Sequence, residues 1–352
     1  MPELVRPEDP YVTLMDVAEA AGVSLGAAVK ALIGDSGVDS KARRAVERAA
    51  QALEFRDVDW AAASPDGRKT GCIGVVVSEP INKMLAGWFF APFLTGVYEA
   101  LSIRSAVMSL FTPDTNRDSS LNEAYLLSGA VDGVILASAH QDDQLPHHLS
   151  QAGLPIVICG HPPKGIRAGW VDCDNRAAAR MAMEHLISLG RKKIAVISGL
   201  LDLPSATDRL AGYRDGLEAA GLPLDVTLEE VADFDPERAR MATERLLLNH
   251  PDLDAVFAGT DDMAVAALSV LHQARKRVPE DVAVIGFDDS PVARVSRPAL
   301  SSVRQPIAEL GHESVALLLD QIAHPEEEPR HTIVQAKISV RESTGEGPRR
   351  SM

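Results

Sequence analysis

No stretch of the 352 residues holds the roughly 18 consecutive apolar side chains that a membrane-spanning helix needs. The opening segment, Met1-Pro-Glu-Leu-Val-Arg-Pro-Glu-Asp-Pro, has neither the basic nor the apolar region of a secretion signal, and the expected setting is the cytoplasm. Cysteine is scarce and odd in number. Cys72, Cys159 and Cys173 sit in apolar or strand-like contexts, which suits buried thiols in a reducing compartment. They lack the spacing and the histidine partners of a metal site, so no metal is expected. Positive charge is short as well: 35 Lys and Arg against 50 Asp and Glu, a net of −15. That balance argues against a surface that coats nucleic acid but leaves room for one small DNA-binding domain, because the field that matters is local. Catalytic signatures are missing too. There is no G-x-S-x-G, no G-x-x-x-x-G-K-[ST], no G-x-G-x-x-G behind a strand and no pair of histidine ligands; His147-His148 falls in a polar loop. The chain reads as a non-enzyme without a cofactor.

What is present is ordinary globular material, 46% hydrophobic and 24% charged, in a chain longer than one usual domain. Thr13 to Leu32 reads as two short helices around a tight corner. Thr13 and Asp16 stand as a capping-box-like start, and Leu14, Val17, Ala18 and Ala21 recur at helical spacing. Gly22 can take the positive φ that ends the first helix, and Ser24 can cap the second. Helix, glycine corner, helix is the unit whose second helix lies in a DNA major groove. Asp39 or Ser40 is expected to cap a third helix with Ala42, Val46, Ala49 and Leu53 inward and Lys41, Arg43, Arg44 and Arg48 at its start and outer side, where they can meet phosphates. Residues 57–70, with Ser64-Pro-Asp-Gly, read as a hinge or linker.

Beyond the linker, apolar runs at 72–77, 105–110, 131–137, 155–159, 193–198, 255–258 and 282–287 read as doubly covered parallel strands. Amphipathic helices are expected at about 91–102, 175–189, 206–220, 236–249, 262–275 and 306–322. This alternation predicts an α/β chain of two Rossmann-like lobes with a ligand cleft at the strand ends. Glu326-Glu-Glu reads as a solvated loop.

Four separated motifs carry a family resemblance. They are Val12-Thr13-Leu14-Met15-Asp16-Val17-Ala18-Glu19-Ala20-Ala21-Gly22-Val23-Ser24, then Val278-Pro279-Glu280-Asp281-Val282-Ala283-Val284-Ile285-Gly286-Phe287-Asp288-Asp289, then Pro298-Ala299-Leu300-Ser301-Ser302-Val303-Arg304-Gln305-Pro306 with Val340-Arg341-Glu342-Ser343-Thr344. In this order, from about residue 11 to 344, they resemble the lactose-repressor-like (LacI/GalR) family of bacterial transcription regulators. The resemblance implies a helix-turn-helix headpiece at 11–56, a hinge at 57–70 and a periplasmic-binding-protein-type core at 71–344, followed by a tail at 345–352. It divides the core into lobe 1 (about 71–174 and 303–328) and lobe 2 (about 175–302 and 329–344). It further implies a homodimer at least, on a pseudo-palindromic operator, with pairing into tetramers left open. A small-molecule effector, sugar-like, would lie between the lobes and shift operator affinity. A regulatory dimer that senses sugar but has lost specific DNA binding is the alternative; a periplasmic solute-binding protein is a more distant one.

The resemblance places the DNA-reading surface at Thr13, Ser24, Leu25, Gly26, Lys30, Lys41 and Arg44. Relatives usually carry polar side chains where Leu25 and Gly26 stand and an Arg where Lys30 stands, so base readout is reduced; Lys lacks the bidentate fork of Arg. Residues 11–60 hold six positive and eight negative side chains, a poor footprint for phosphates. The hinge lacks the family's minor-groove Leu, and Trp60 is either a substitute wedge or a residue packed on the lobes. For the effector the resemblance points to Asp288 and Arg209 as polar contacts, Phe90 and Phe234 as aromatic ones, and Ser138, Asp174, Ser205 and Asp261 at strand or loop ends. Other readings compete: Phe234 as lobe core, Asp174 and Asp261 as helix caps, Arg209 as an interlobe ion pair. Thr260 stands where a sugar-contacting Asn is common, and Leu203 where purine-binding relatives use Arg.

Overall fold

A computed structural model describes residues 14–32, 39–53, 70–112, 120–163 and 165–345. Thr13, the hinge with Trp60, and the tail beyond 345 lie outside the described residues.

The headpiece is three helices: α1 (Leu14–Ala21), α2 (Leu25–Leu32) and α3 (Ser40–Ala52). Val17, Ala18, Ala28, Ala31, Val46 and Ala49 close a small core between them. The corner forms as its residues dictate. Gly22 takes φ +67°, and the Ser24 hydroxyl accepts the Ala27 N–H at 3.2 Å. The Asp39 carboxylate accepts the N–H groups of Lys41 and Ala42 at 3.1 and 3.3 Å and starts α3.

The first lobe opens with β1 (Cys72–Val77), α4 (Ile81–Ala86), α5 (Phe90–Ser102), β2 (Val107–Phe111) and α6 (Ser120–Leu127). It continues through β3 (Gly133–Ala137), α7 (Leu145–Gln151), β4 (Ile156–Cys159) and β5 (Gly169–Asp172). The second lobe opens with α8 (Asn175–Ser188), β6 (Ile194–Ser198), α9 (Pro204–Ala219), β7 (Glu229–Val231), α10 (Pro236–Asn249) and β8 (Ala255–Ala258). It continues through α11 (Asp261–Gln273), β9 (Ala283–Phe287), α12 (Pro291–Val295) and β10 (Ser301–Arg304). The chain then returns through α13 (Ile307–Ala323) and β11 (His331–Ile333) to the first sheet, and β12 (Lys337–Ser339) ends it in the second. Strand orders are β11-β5-β4-β3-β1-β2 and β12-β10-β9-β8-β6-β7. Among the described residues every pairing is parallel except β10 with β12.

Central strands such as Val134–Ala137 and Val284–Phe287 are fully buried on both faces, as uninterrupted apolar runs require. Strands β5, β7, β10, β11 and β12 were not among the expected runs. They are three or four residues long, and several sit at sheet edges with mixed composition, so no run marks them. Sheet membership also moves the crossovers between lobes. Ser301–Arg304 belongs to the second sheet and His331–Ile333 to the first, so the chain changes lobe at 173–174, at 305–306 and at 334–336. The sequence reading had the last two at about 303 and 329.

In each lobe two helices cross at glycines. A Cβ on Gly212 of α9 would stand 2.2 Å from the Arg176 carbonyl oxygen of α8, and one on Gly96 of α5 would stand 2.1 Å from that of Ala308 of α13. These are backbone-to-backbone approaches that no side chain permits.

Candidate functional site

The ends of the parallel strands face the gap between the lobes, the usual ligand position in such sheets. Asp288 follows β9, Gly259 follows β8, Gly199 follows β6, Ser138 follows β3 and Asp172 ends β5. Arg209 lies one turn into α9 and is buried. Its Nε donates to Asn175 Oδ1 at 2.7 Å and its Nη1 to the Gly259 carbonyl at 2.6 Å. Nη1 stands 3.9 Å from Asp288 Oδ1, and the guanidinium carbon lies 3.6 Å above the centre of the Phe287 ring. On the other side of Asp288, the Gln305 amide donates to Oδ1 at 2.6 Å. Asn175 and Gln305 sit beside two of the three crossovers, so this group spans the joint between the lobes. Neither was singled out from sequence; a polar residue flanking a crossover was the signal available.

Backbone conformation marks the same places. Ser138, Asp174, Phe234 and Asp288 have φ of 58°, 50°, 58° and 104°. Left-handed backbone on such residues costs energy and gathers at ligand sites. Among the eight effector residues, the structure brings Arg209 and Asp288 together. Ser205 is half-buried one helical turn before Arg209. Phe234 lays its ring across Gly199, where a Cβ would come within 2.0 Å of Cζ, and is half-buried against the second-lobe core. Asp174 caps α8 by accepting the Ala177 N–H at 2.9 Å. Ser138 is half-buried at the first-lobe rim. Phe90 is buried in the core, edge-on to Phe89 at 5.4 Å.

Asp261 has a different occupation. Oδ1 accepts the Ser302 hydroxyl and Oδ2 the Ser290 N–H, both at 2.6 Å. Thr260, not Asp261, is the N-cap of α11. Both Asp261 oxygens are therefore engaged within the protein, where they brace the loop that carries Asp288. Asp289 braces it from the other side through Arg341, Ser339 and the Ser302 hydroxyl.

Burial pushes the Asp288 carboxyl up from 3.8 to about 6, against the pull of Arg209 and the Gln305 amide. A carboxylate accepts from ligand hydroxyls best when ionised, so ligand affinity is expected to fall as pH drops below 6. Calorimetric titration from about pH 5 to 8 checks this, and Asp288→Asn should bind weakly with a flat profile. For folding the sign is opposite. The raised group gives stability that is full below 3.8 and lost as pH rises through about 6. Burial also pushes the Cys159 and Cys173 thiols up, which keeps them protonated.

The DNA-facing residues divide by what the structure describes. Ser24 is exposed at the corner; Lys41 and Arg44 are exposed on α3. Leu25, Gly26 and Lys30 lie on α2, their side chains outside the described set. No helix among the described residues is long and apolar enough to cross a membrane.

The periplasmic binding protein-like domain model matches residues 183–344. The HTH-type transcriptional regulator CelR of Thermobifida fusca is 40% identical over 334 residues, covering 94% of this chain and 98% of that protein. Catabolite control protein A of Priestia megaterium is 29% identical, covering 95% and 99%. A solved transcriptional regulator CelR–cellobiose complex superposes with a TM-score of 0.75 at 39% identity, covering 94% of this chain and 99% of that one. The lac repressor dimer bound to operator and anti-inducer shares the fold, with a TM-score of 0.69 at 24% identity, over 96% and 100% of the two chains. These relatives are regulators and not enzymes. With a three-helix DNA-binding corner, two parallel-sheet lobes and full-length similarity to such regulators, this chain belongs to the LacI/GalR family of ligand-responsive transcriptional regulators.

Proposed function

We propose that this regulator is a cytoplasmic, dimeric repressor whose effector is a β-linked glucose disaccharide of the cellobiose type, held between the lobes by Arg209 and Asp288. The observation that carries this reading is the buried Arg209–Asn175 and Asp288–Gln305 group at the crossovers. A guanidinium and a carboxylate in a dry site serve neutral hydroxyls on both donor and acceptor sides. The similarity to a regulator solved with cellobiose supports the ligand class. Because Asn175 and Gln305 adjoin the segments that join the lobes, a ligand that pulls on Arg209 and Asp288 changes the lobe angle. Through it the spacing of two headpieces on a pseudo-palindromic operator changes. Effector and operator then alter one another's affinity by the same factor. Fluorescence anisotropy of an operator fragment from upstream of the chain's own gene, with and without cellobiose, tests this. The expected result is a shift of operator affinity of tenfold or more. No shift with any glucose disaccharide overturns the effector assignment.

A second reading, a sugar-sensing dimer with weak specific DNA binding, is favoured by Leu25 and Gly26 on the reading helix and by the acidic balance of residues 11–60. It predicts the same affinity for operator and random duplex. Discrimination between the two overturns it.

A further inference from the structure

One polar group in the cleft is left over by the Arg209–Asp288 site. His161 follows β4 and Asp172 ends β5 in the first lobe, whereas Asp208 stands on α9 of the second, directly before Arg209. His161 Nδ1 and Asp208 Oδ2 are hydrogen-bonded at 3.0 Å, and His161 Nδ1 lies 3.9 Å from Asp172 Oδ2. Asp172 is only 4% exposed. Its Oδ1 accepts the Asn175 amide at 2.8 Å, but its buried Oδ2 has no hydrogen-bond partner among the described residues. A buried acceptor without a donor is costly, and such an atom beside a cleft is a place where a ligand supplies the missing donor.

Asn175 makes this group continuous with the first one. It donates to Asp172 through Nδ2 and accepts from Arg209 through Oδ1, so Asp172, Asn175, Arg209 and Asp288 form one chain across the cleft. The His161 ring is held in place: it meets Trp170 edge-on at 4.7 Å, and Trp170 stacks on His331 at 4.5 Å.

Resting on the reading of a disaccharide effector, we propose that Asp172, His161 and Asp208 form a second hydroxyl-binding subsite, built from both lobes, that receives the outer sugar ring. The donor set selects a neutral polyol. Asp172, Asp208 and Asp288 face one guanidinium, which disfavours an anionic ligand. The three ligand atoms lie within 4.8 Å of one another, a spacing a divalent cation also accepts. Arg209, however, already lends positive charge to Asp172 across the Asn175 that both bond, and His161 Nδ1, the atom a cation would take, is engaged with Asp208. A hydroxyl needs no such exchange of partners, since it supplies the donor that Asp172 Oδ2 lacks and leaves the His161–Asp208 bond in place. A one-ring ligand can occupy the Arg209–Asp288 end alone; a two-ring ligand reaches both ends and adds its hydroxyls to the existing His161–Asp208 bond between the lobes.

Calorimetry on the full chain with cellobiose and with glucose tests the subsite, using Asp208→Asn and His161→Ala. Asp208 is partly exposed on a helix surface, so its variant keeps the fold, and an unchanged melting temperature verifies this. The expected result is at least a tenfold loss of cellobiose affinity in both variants with glucose affinity held within twofold. Equal losses for both sugars, or no loss for either, overturn the subsite while leaving the effector assignment standing. A wild-type chain that binds glucose but no disaccharide overturns both. Cellobiose binding that disappears with EDTA and returns with Zn²⁺ or Mn²⁺ overturns the hydroxyl reading in favour of a cation.

Discussion

Replacing Arg209 by lysine is expected to abolish the effector response while leaving ligand-free operator binding in place. The wild-type guanidinium donates in two directions, to Asn175 at 2.7 Å and to the Gly259 carbonyl at 2.6 Å, while its face lies 3.6 Å over Phe287. A lysine ammonium is a point charge without a planar fork, so it cannot keep all three contacts. Because the side chain is buried, each lost contact leaves a partner without a donor, at about 1–3 kcal/mol for each group so left. Effector affinity should therefore fall by about 100-fold or more. Calorimetry with the effector and anisotropy with operator measure the two halves separately. A tenfold or smaller loss of effector affinity would show that Asp288 and the outer subsite carry the binding.

The second large effect is on folding. Gly212→Val should lower stability by about 3 kcal/mol or more, since overpacking an interior commonly costs 1–3 kcal/mol and here the obstacle is backbone. A Cβ at 212 would lie 2.2 Å from the Arg176 carbonyl oxygen and 2.8 Å from Ala179 Cβ, so α8 and α9 must move apart. That movement has a functional consequence. Asn175 opens α8 and Arg209 sits less than one turn before Gly212 on α9, so separating the helices breaks the 2.7 Å bond between them. Even a variant rescued by low temperature should lose effector binding. Urea unfolding gives the stability and thermal shift with cellobiose gives the binding. A Gly212→Val chain with wild-type stability would mean that the crossing has slack the close approach denies.

Local order was legible from residue spacing. The glycine corner, the Ser24 cap, a cap at Asp39 or Ser40 that the structure assigns to Asp39, and the inward faces of the first and third headpiece helices follow from period and cap chemistry. The long apolar runs announced the central strands, and the motif ending in Asp288 pointed to the end of β9. Short strands such as Gly169–Asp172 and His331–Ile333 carry no such run. The two crossovers at 305 and 334 could not be dated from sequence, because sheet membership depends on which neighbours pair and not on composition.

The sequence by itself determined the architecture through helical period and strand alternation, and the family through motif order, because these are properties of residues near one another; Arg209 and Asp288 were pointed to by the family resemblance alone. Only the tertiary structure decided the partnerships. Arg209 meets Asn175 34 positions away, and Gln305 meets Asp288 17 positions away. His161 meets Asp208 47 positions away, across the gap between the lobes. The structure also gave Asp261 its role as a brace for the Asp288 loop, and it left Asp172 with an acceptor that nothing among the described residues fills. The reason is physical: a hydrogen bond depends on distance in space, and strand order and helix crossings set that distance. No local pattern encodes them.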